Sequence, residues 1–179
     1  PAGHRSDLLS SPTRRPSDLA DAALEACLRI AVAEVGERAH DVRLAVVAMG
    51  KTGGRELNYI SDVDVVFICE PSRPDVSTDV AMRAGQQIAS KLMQIANAAT
   101  SEGSIWEVDA ALRPEGKAGA LVRTIDSYVA YYRKWAKTWE YQALLKARPA
   151  AGDMDLGAPY VDAGADFVWT AADREHFVD

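Results

Sequence analysis

The chain has few of the residues that most metal and redox sites use, with two cysteines and three histidines in 179 residues. Cys27 and Cys69 fall on a predicted helix and a predicted strand, so they read as small core residues rather than a disulfide or a metal pair. His4, His40 and His176 are scattered, which leaves histidine-based zinc chemistry without support. No uninterrupted apolar run approaches the roughly 18 residues of a membrane span, and the N-terminus lacks the apolar core of a signal peptide. A cytoplasmic chain with no membrane partner is expected. Basic charge is also short, with 20 Lys and Arg against 26 Asp and Glu and a net charge of −6, which argues against a nucleic-acid partner.

With 48% hydrophobic and 26% charged residues, the chain can bury one sizeable core. Residues 1–16, "PAGHRSDLLSSPTRRP", show no helical or strand period, are rich in Ser, Pro and Arg, and are expected to be disordered. They also resemble adaptor read-through at the end of an assembled fragment, and no function is expected there. Residues 17–179 are expected to form one domain.

Ser17 is a candidate N-cap for a helix carrying Leu19, Ala23, Cys27 and Ile30 at helical spacing. "VRLAVVAMG", residues 42–50, has the length and apolarity of a buried strand and runs into a glycine-rich loop at 50–54. A second strand begins at Asp62 in "DVDVVFICE". Val80, Ala84, Ile88, Leu92, Ile95 and Ala99 then make an apolar stripe that predicts a helix over 77–100, with Gly103 as its stop.

"SIWEVDAALRP", residues 104–114, alternates as a strand, with Ile105, Glu107, Asp109 and Ala111 on one face. A basic, glycine-bearing loop follows, then one long aromatic helix over "DSYVAYYRKWAKTWEYQALLKAR" ending at Pro149, a polar glycine-rich stretch, and a last helix over "ADFVWTAADREHFV". The order predicts an α/β (α+β) fold, a short mixed sheet flanked by helices.

The chemistry centres on "MGKTGGRELNYISDVDVVF", residues 49–67. Residues two apart on a strand project from the same face about 6.6 Å apart, so Asp62 and Asp64 stand together while Val63, Val65, Phe67 and Cys69 take the other face. Two like charges at that separation repel by several tenths of a kcal/mol to roughly 2.5 kcal/mol, depending on the dielectric. A divalent cation reverses the sign of that term. Mg²⁺ takes hard oxygen ligands from one or two carboxylates plus substrate phosphates, and Asp109 would supply a third carboxylate if its strand lies beside 62–69. In an arbitrary protein such a pair is more often a solvated strand end. The loop before it shifts that balance, because its backbone N–H groups and Lys51 can approach phosphate oxygens, although it lacks the Walker arrangement.

A glycine-rich loop, Ser-Asp-Val-Asp on a strand and a lone Asp on a later strand together resemble the nucleotidyltransferase-superfamily signature. That likeness implies metal-bound nucleotide on the open face of the sheet. With "IWEVDAALRPEGKAGALV" and "TWEYQALLKARPAAGD" in the same order, the chain resembles more closely the glutamine synthetase adenylyltransferase / adenylyl-removing family over roughly residues 20–179. That family carries two such domains in one long chain, and "GRELNYISDVDVVF" is more similar to the first copy, which removes AMP from glutamine synthetase by phosphorolysis. "TWEYQALLKAR" resembles either copy, so the alternatives are the copy that attaches AMP from ATP, or a non-catalytic nucleotide-sensing or docking module.

The resemblance implies Asp62, Asp64 and Asp109 as catalytic metal ligands, with Mg²⁺, two ions, as cofactor and ATP or ADP as substrate or product. It implies Gly50, Lys51, Gly53, Gly54 and Ser61 as the phosphate-binding loop and Arg113 and Lys117 as mobile phosphate contacts. It implies glutamine synthetase as protein substrate, a nitrogen-signalling regulatory protein as partner of the full-length enzyme, and a helical domain after the catalytic one. The family commonly reads Val-Asp-x-Arg-Leu-Arg-Pro where this chain has "VDAALRP", so Ala111 stands in place of one arginine.

Two other features read as structural. Trp135, Trp139, Tyr132 and Tyr141 form a stripe expected in the core, with Tyr128 and Tyr131 as its exposed members. Lys134, Lys137, Lys146 and Arg148 read as a solvated face near a helix C-terminus, with a phosphate role for Lys146 or Arg148 as the alternative. Glu56 and Glu107 read as solvated acids.

Overall fold

A computed structural model describes residues 16–58, 61–99, 101, 103 and 106–175, with side chains through 167. The tail expected over 1–16 therefore lies, apart from Pro16, outside the described residues, as does the expectation for Ile105. The elements are α1 (Pro16–Val35), β1 (Val42–Ala48), α2 (Gly50–Gly53), β2 (Val63–Pro71), α3 (Thr78–Ala96), β3 (Val108–Asp109), β4 (Val122–Arg123), α4 (Ile125–Lys134), α5 (Thr138–Leu144), β5 (Arg148–Gly152) and α6 (Met154–Glu175). Short 3-10 turns at Gly36–Asp41 and Gly116–Ala118 complete the chain path.

The five strands make one mixed sheet in the order β3-β2-β1-β5, with β4 also pairing β2. β1 pairs antiparallel with both β2 and β5, while β3 and β4 each pair parallel with β2. Alternation along β1 and β2 sorts the core into two halves. Leu44, Val46, Val65, Phe67 and Cys69 pack with Leu24 and Leu28 of α1 and Ile88 and Leu92 of α3. Ala45, Val47, Val66 and Ile68 pack with Tyr128, Tyr132, Leu144, Leu156 and Tyr160 of α4, α5 and α6. The result is a three-layer α/β/α domain with helices on both faces. Asp64 shares a strand face with Val66 and Ile68, so the face expected to be open is covered by α4–α6 from Val66 onward and exposed only near the start of β2.

Several elements differ from the sequence expectation. The helix starts at Pro16, and the buried Ser17 hydroxyl accepts from Leu57 N instead of capping α1. α3 closes at Ala96, and its buried face runs through Ala81, Ala84, Gly85, Ile88, Ala89 and Leu92, leaving Val80 37% exposed. Among the described residues of 104–114, only Val108–Asp109 is strand.

The aromatic helix is two helices. α4 stops at Trp135, and the Glu140 carboxylate restarts the chain by accepting from Lys137 N at 2.9 Å while its other oxygen accepts from the Tyr131 hydroxyl at 2.9 Å. Residues 148–152 form β5, and α6 begins at Met154, where Asp153 caps Leu156 N and pairs with Arg43. Tyr132 is buried and Tyr141 packs against the core as expected, but Tyr128 is fully buried whereas Trp135 and Trp139 are 64% and 49% exposed, the reverse of the expectation for these three.

Candidate active site

β2 and β3 run parallel in a register that sets Asp64 directly beside Asp109, with Val63 beside Val108. The two aspartates therefore rise from the same sheet face on neighbouring strands, and Asp62 precedes them at the solvent end. β3 is short, so other bonds hold it: Val63 N donates to Glu107 O at 2.8 Å, and the side chain of Asn97, the residue that ends α3, bonds both Val108 N (2.7 Å) and Val108 O (3.2 Å). Asp109 Oδ1 accepts from Ala111 N at 2.8 Å, leaving Oδ2 towards Lys117 Nζ at 3.9 Å.

The Asp64 carboxyl senses the other two. Burial raises the Asp64 carboxyl above the usual aspartate range, the charges of Asp109 and then Asp62 raise it further, and Lys51 opposes them. Among the described residues, no three acid, cysteine or histidine side chains converge closely enough to hold a metal by themselves. The donors are nevertheless all carboxylate, the kind a hard cation takes, and Lys51 and Lys117 offset their charge only in part. A Mg²⁺ that keeps several waters and substrate oxygens does not need a closed protein cage.

The glycine-rich segment is a helical turn rather than an open loop. Gly50 has φ +51, and a Cβ there would stand 2.7 Å from Asp64 Oδ2, so the missing side chain lets the carboxylate lie against the backbone. Gly53 N donates to Met49 O and Gly54 N to Gly50 O, so these two amides are used inside α2 and are not free for phosphate. The need for glycine at 53 has a different cause: a Cβ there would meet Lys146 O at 2.0 Å and Ala48 O at 2.7 Å. Lys51 is exposed beside the carboxylates, and the Ser61 hydroxyl bonds Asn58 Oδ1 at 2.7 Å.

Arg113 is not a mobile basic arm in this structure. It is 9% exposed, and its guanidinium donates to Ala110 O (2.7 Å), Lys117 O (3.2 Å) and Gly119 O (3.2 Å), fastening the loop after β3. Lys117 on that loop is 79% exposed and free to reach outward.

Arg148 is likewise no surface cation. It donates to Gly53 O, Thr52 O and Asp21 Oδ1, tying α2 to β5 and α1. Lys146 pairs with Glu56 at 2.6 Å, so Glu56 is not simply solvated. Asn97, Asp21 and Glu140 are supporting residues that sequence reading missed. The sequence did hold a cue at Glu140, a carboxylate three residues after a chain reversal, but none at Asn97 or Asp21.

Comparison with known proteins adds an independent line. A family profile described as glutamate-ammonia ligase adenylyltransferase matches residues 9–162. Curated relatives named bifunctional glutamine synthetase adenylyltransferase/adenylyl-removing enzyme include that of Streptomyces coelicolor, 59% identical over 164 residues covering 90% of this chain. Those of Corynebacterium efficiens and Mycolicibacterium smegmatis are 56% and 58% identical over 93% and 90% of the chain. The chain spans only 15–16% of the length of these relatives.

Proposed function

Because the chain belongs to the glutamate-ammonia ligase adenylyltransferase family, we propose that it is a nucleotidyl-transfer domain acting on glutamine synthetase, and that its reaction is phosphorolytic removal of AMP from an adenylylated tyrosine. The observation that carries this reading is the pairing of Asp64 with Asp109 across adjacent parallel strands, with Asp62 at the strand's head and the backbone of Gly50 against Asp64. Such a cluster is costly without positive charge and suits a site where phosphate groups and cations meet.

In the proposed reaction an oxygen of inorganic phosphate attacks the α-phosphorus of the AMP–tyrosine ester. The new P–O–P bond makes ADP, and the P–O bond to tyrosine breaks, the phenolic oxygen leaving with a proton. Asp62, Asp64 and Asp109 are the residues that would hold Mg²⁺. When bound, that ion neutralises charge developing on the phosphoryl oxygens and aligns attacking and leaving oxygens. Lys51 and Lys117 are exposed cations on two sides of the carboxylates and are suited to draw the incoming phosphate to them. Asn97, through β3, and Arg148, through α2, hold the two backbones that carry the site.

The test supplies adenylylated glutamine synthetase, phosphate and Mg²⁺ to the chain and to an Asp64→Asn variant and measures ADP. Phosphate-dependent ADP release by the parent and not by the variant is expected. Equal release by both, or none by either, would overturn the assignment. A parallel reaction with ATP and unmodified glutamine synthetase, read as diphosphate, decides whether the domain runs in the attaching direction instead.

A further inference from the structure

A second concave surface lies on the same edge of β2, away from the carboxylates. Arg123 on β4 pairs with Ile68, four residues along β2 from Asp64, which is about 13 Å of strand rise. Around it Glu115, Arg123, Ser127, Tyr131, Lys134 and Trp135 line a cleft of about 640 Å³, within the range of small-molecule sites.

The charges in this cleft are incompletely matched. The Arg123 side chain is only 16% exposed; Nη1 donates to Ser127 Oγ at 3.2 Å, Nη2 pairs with Glu115, and the buried Nε has no partner. A guanidinium that far from water normally holds a planar oxyanion through a two-pronged contact. Its carboxylate partner is poorly suited to be permanent. Glu115 is 59% exposed and sits at φ +63, a left-handed conformation unfavourable for a non-glycine residue.

Aromatic surface flanks the cations. Arg123 lies over the Tyr131 ring at 6.0 Å, and Lys134 Nζ lies 4.9 Å from the ring centre of Trp135, which is 64% exposed. An exposed indole beside one cation and a phenol ring beside the other offer stacking surface next to a place for negative charge.

We infer that this cleft is a binding site for a small aromatic oxyanion, a phosphate or carboxylate joined to a planar ring, whose head group displaces Glu115 from Arg123 while its ring lies against Tyr131 and Trp135. Glu115 is the stand-in that keeps Arg123 compensated when the ligand is absent. Phosphate and carboxylate heads share this chemistry, and the ligand arms of the test separate them. The site stands whether or not the chain transfers AMP.

The experiment titrates the chain, in EDTA to suppress metal-dependent nucleotide binding at the carboxylates, with AMP, 4-hydroxybenzoate, adenosine and inorganic phosphate. Tryptophan fluorescence and calorimetry are the readouts. AMP or 4-hydroxybenzoate should bind at least about tenfold more tightly than adenosine, as loss of a charged hydrogen-bond partner requires. The fluorescence change should vanish in Trp135→Phe, and Arg123→Gln should lose binding. Lys134→Gln, at an exposed position where the fold is not at stake, should weaken it. Glu115→Gln should bind about two- to fivefold more tightly, the worth of a displaced exposed ion pair. The inference is overturned if neither aromatic anion binds at millimolar concentration, if inorganic phosphate binds as well as AMP, if the fluorescence change persists in Trp135→Phe, if Lys134→Gln leaves binding unchanged, or if Glu115→Gln weakens it.

Discussion

Replacing Gly53 with alanine adds one carbon at the tightest point of the site's scaffold. The new Cβ would stand 2.0 Å from Lys146 O, 2.7 Å from Ala48 O and 3.0 Å from Lys146 C. An ordinary carbon–oxygen contact is about 3.3 Å or longer, so roughly 1.3 Å of separation must be found. None of these neighbours is a side chain that can swing away. One is the end of β1, and the other is the segment entering β5, which Arg148 ties back to Gly53 O itself. Overpacking of this kind costs about 1–3 kcal/mol, and backbone on both sides places it near 3 kcal/mol. For a chain of this size that is a fall in Tm of about 6–12 °C. The neighbouring Gly54→Ala is the control, because its Cβ would meet the flexible Lys146 Cδ at 2.8 Å, which can move aside. Urea unfolding followed by circular dichroism compares the two. A Gly53→Ala chain within about 0.5 kcal/mol of the parent, or no less stable than Gly54→Ala, would refute the claim that this glycine exists for close packing.

Asp64 has a raised carboxyl pKa, so the folded chain keeps that proton to higher pH than the unfolded one; the stability linked to it is greatest below the ordinary aspartate value and falls as pH rises through the raised one. Asp64→Asn should flatten that part of the Tm–pH curve and raise Tm at neutral pH while cutting transfer at least about a hundredfold, and an unchanged slope would count against mutual repulsion in the cluster. Arg148→Gln should cost about 2–4 kcal/mol in urea unfolding and speed amide exchange at Gly53 and Gly54, since it strands Asp21 and frees the carbonyls of α2. Arg113→Lys should lower stability by about 1–3 kcal/mol through loss of the forked loop contacts. A raised KM for phosphate with stability intact would instead restore Arg113 as a substrate contact.

The parts of the fold that could be read from the sequence are those where one periodicity governs many residues. β2 alternates between two buried halves of the core, and so the faces of Val63, Asp64, Val65 and Val66 follow from spacing alone. β5 could not be read this way: it is five residues long, holds Pro149 and Gly152, and exists because β1 offers an antiparallel edge for it. The break at Trp135–Lys137 has no glycine or proline to announce it, and it depends on the buried Glu140 bridging Tyr131 and Lys137 N.

The site divides along the same line. That Asp62 and Asp64 stand together follows from their spacing, and Asp109 joins them because its strand does lie beside β2, the condition its sequence position left open. The amides of Gly53 and Gly54 and the guanidinium of Arg113 are engaged by the chain's own backbone, which residue type alone does not reveal.

The outer edge of β2 is met by two separate two-residue pieces, β3 and β4, and between them the chain leaves the sheet over residues 110–121. Arg113 fastens this excursion to carbonyls within the excursion itself, while Asn97 and Val63 hold the backbone of Val108 and Glu107 just before Asp109. The segment is therefore a cassette mounted between two fixed points. A change of its length or charge reaches the third carboxylate only through Ala111 N and Lys117 Nζ, the two points at which the cassette touches Asp109.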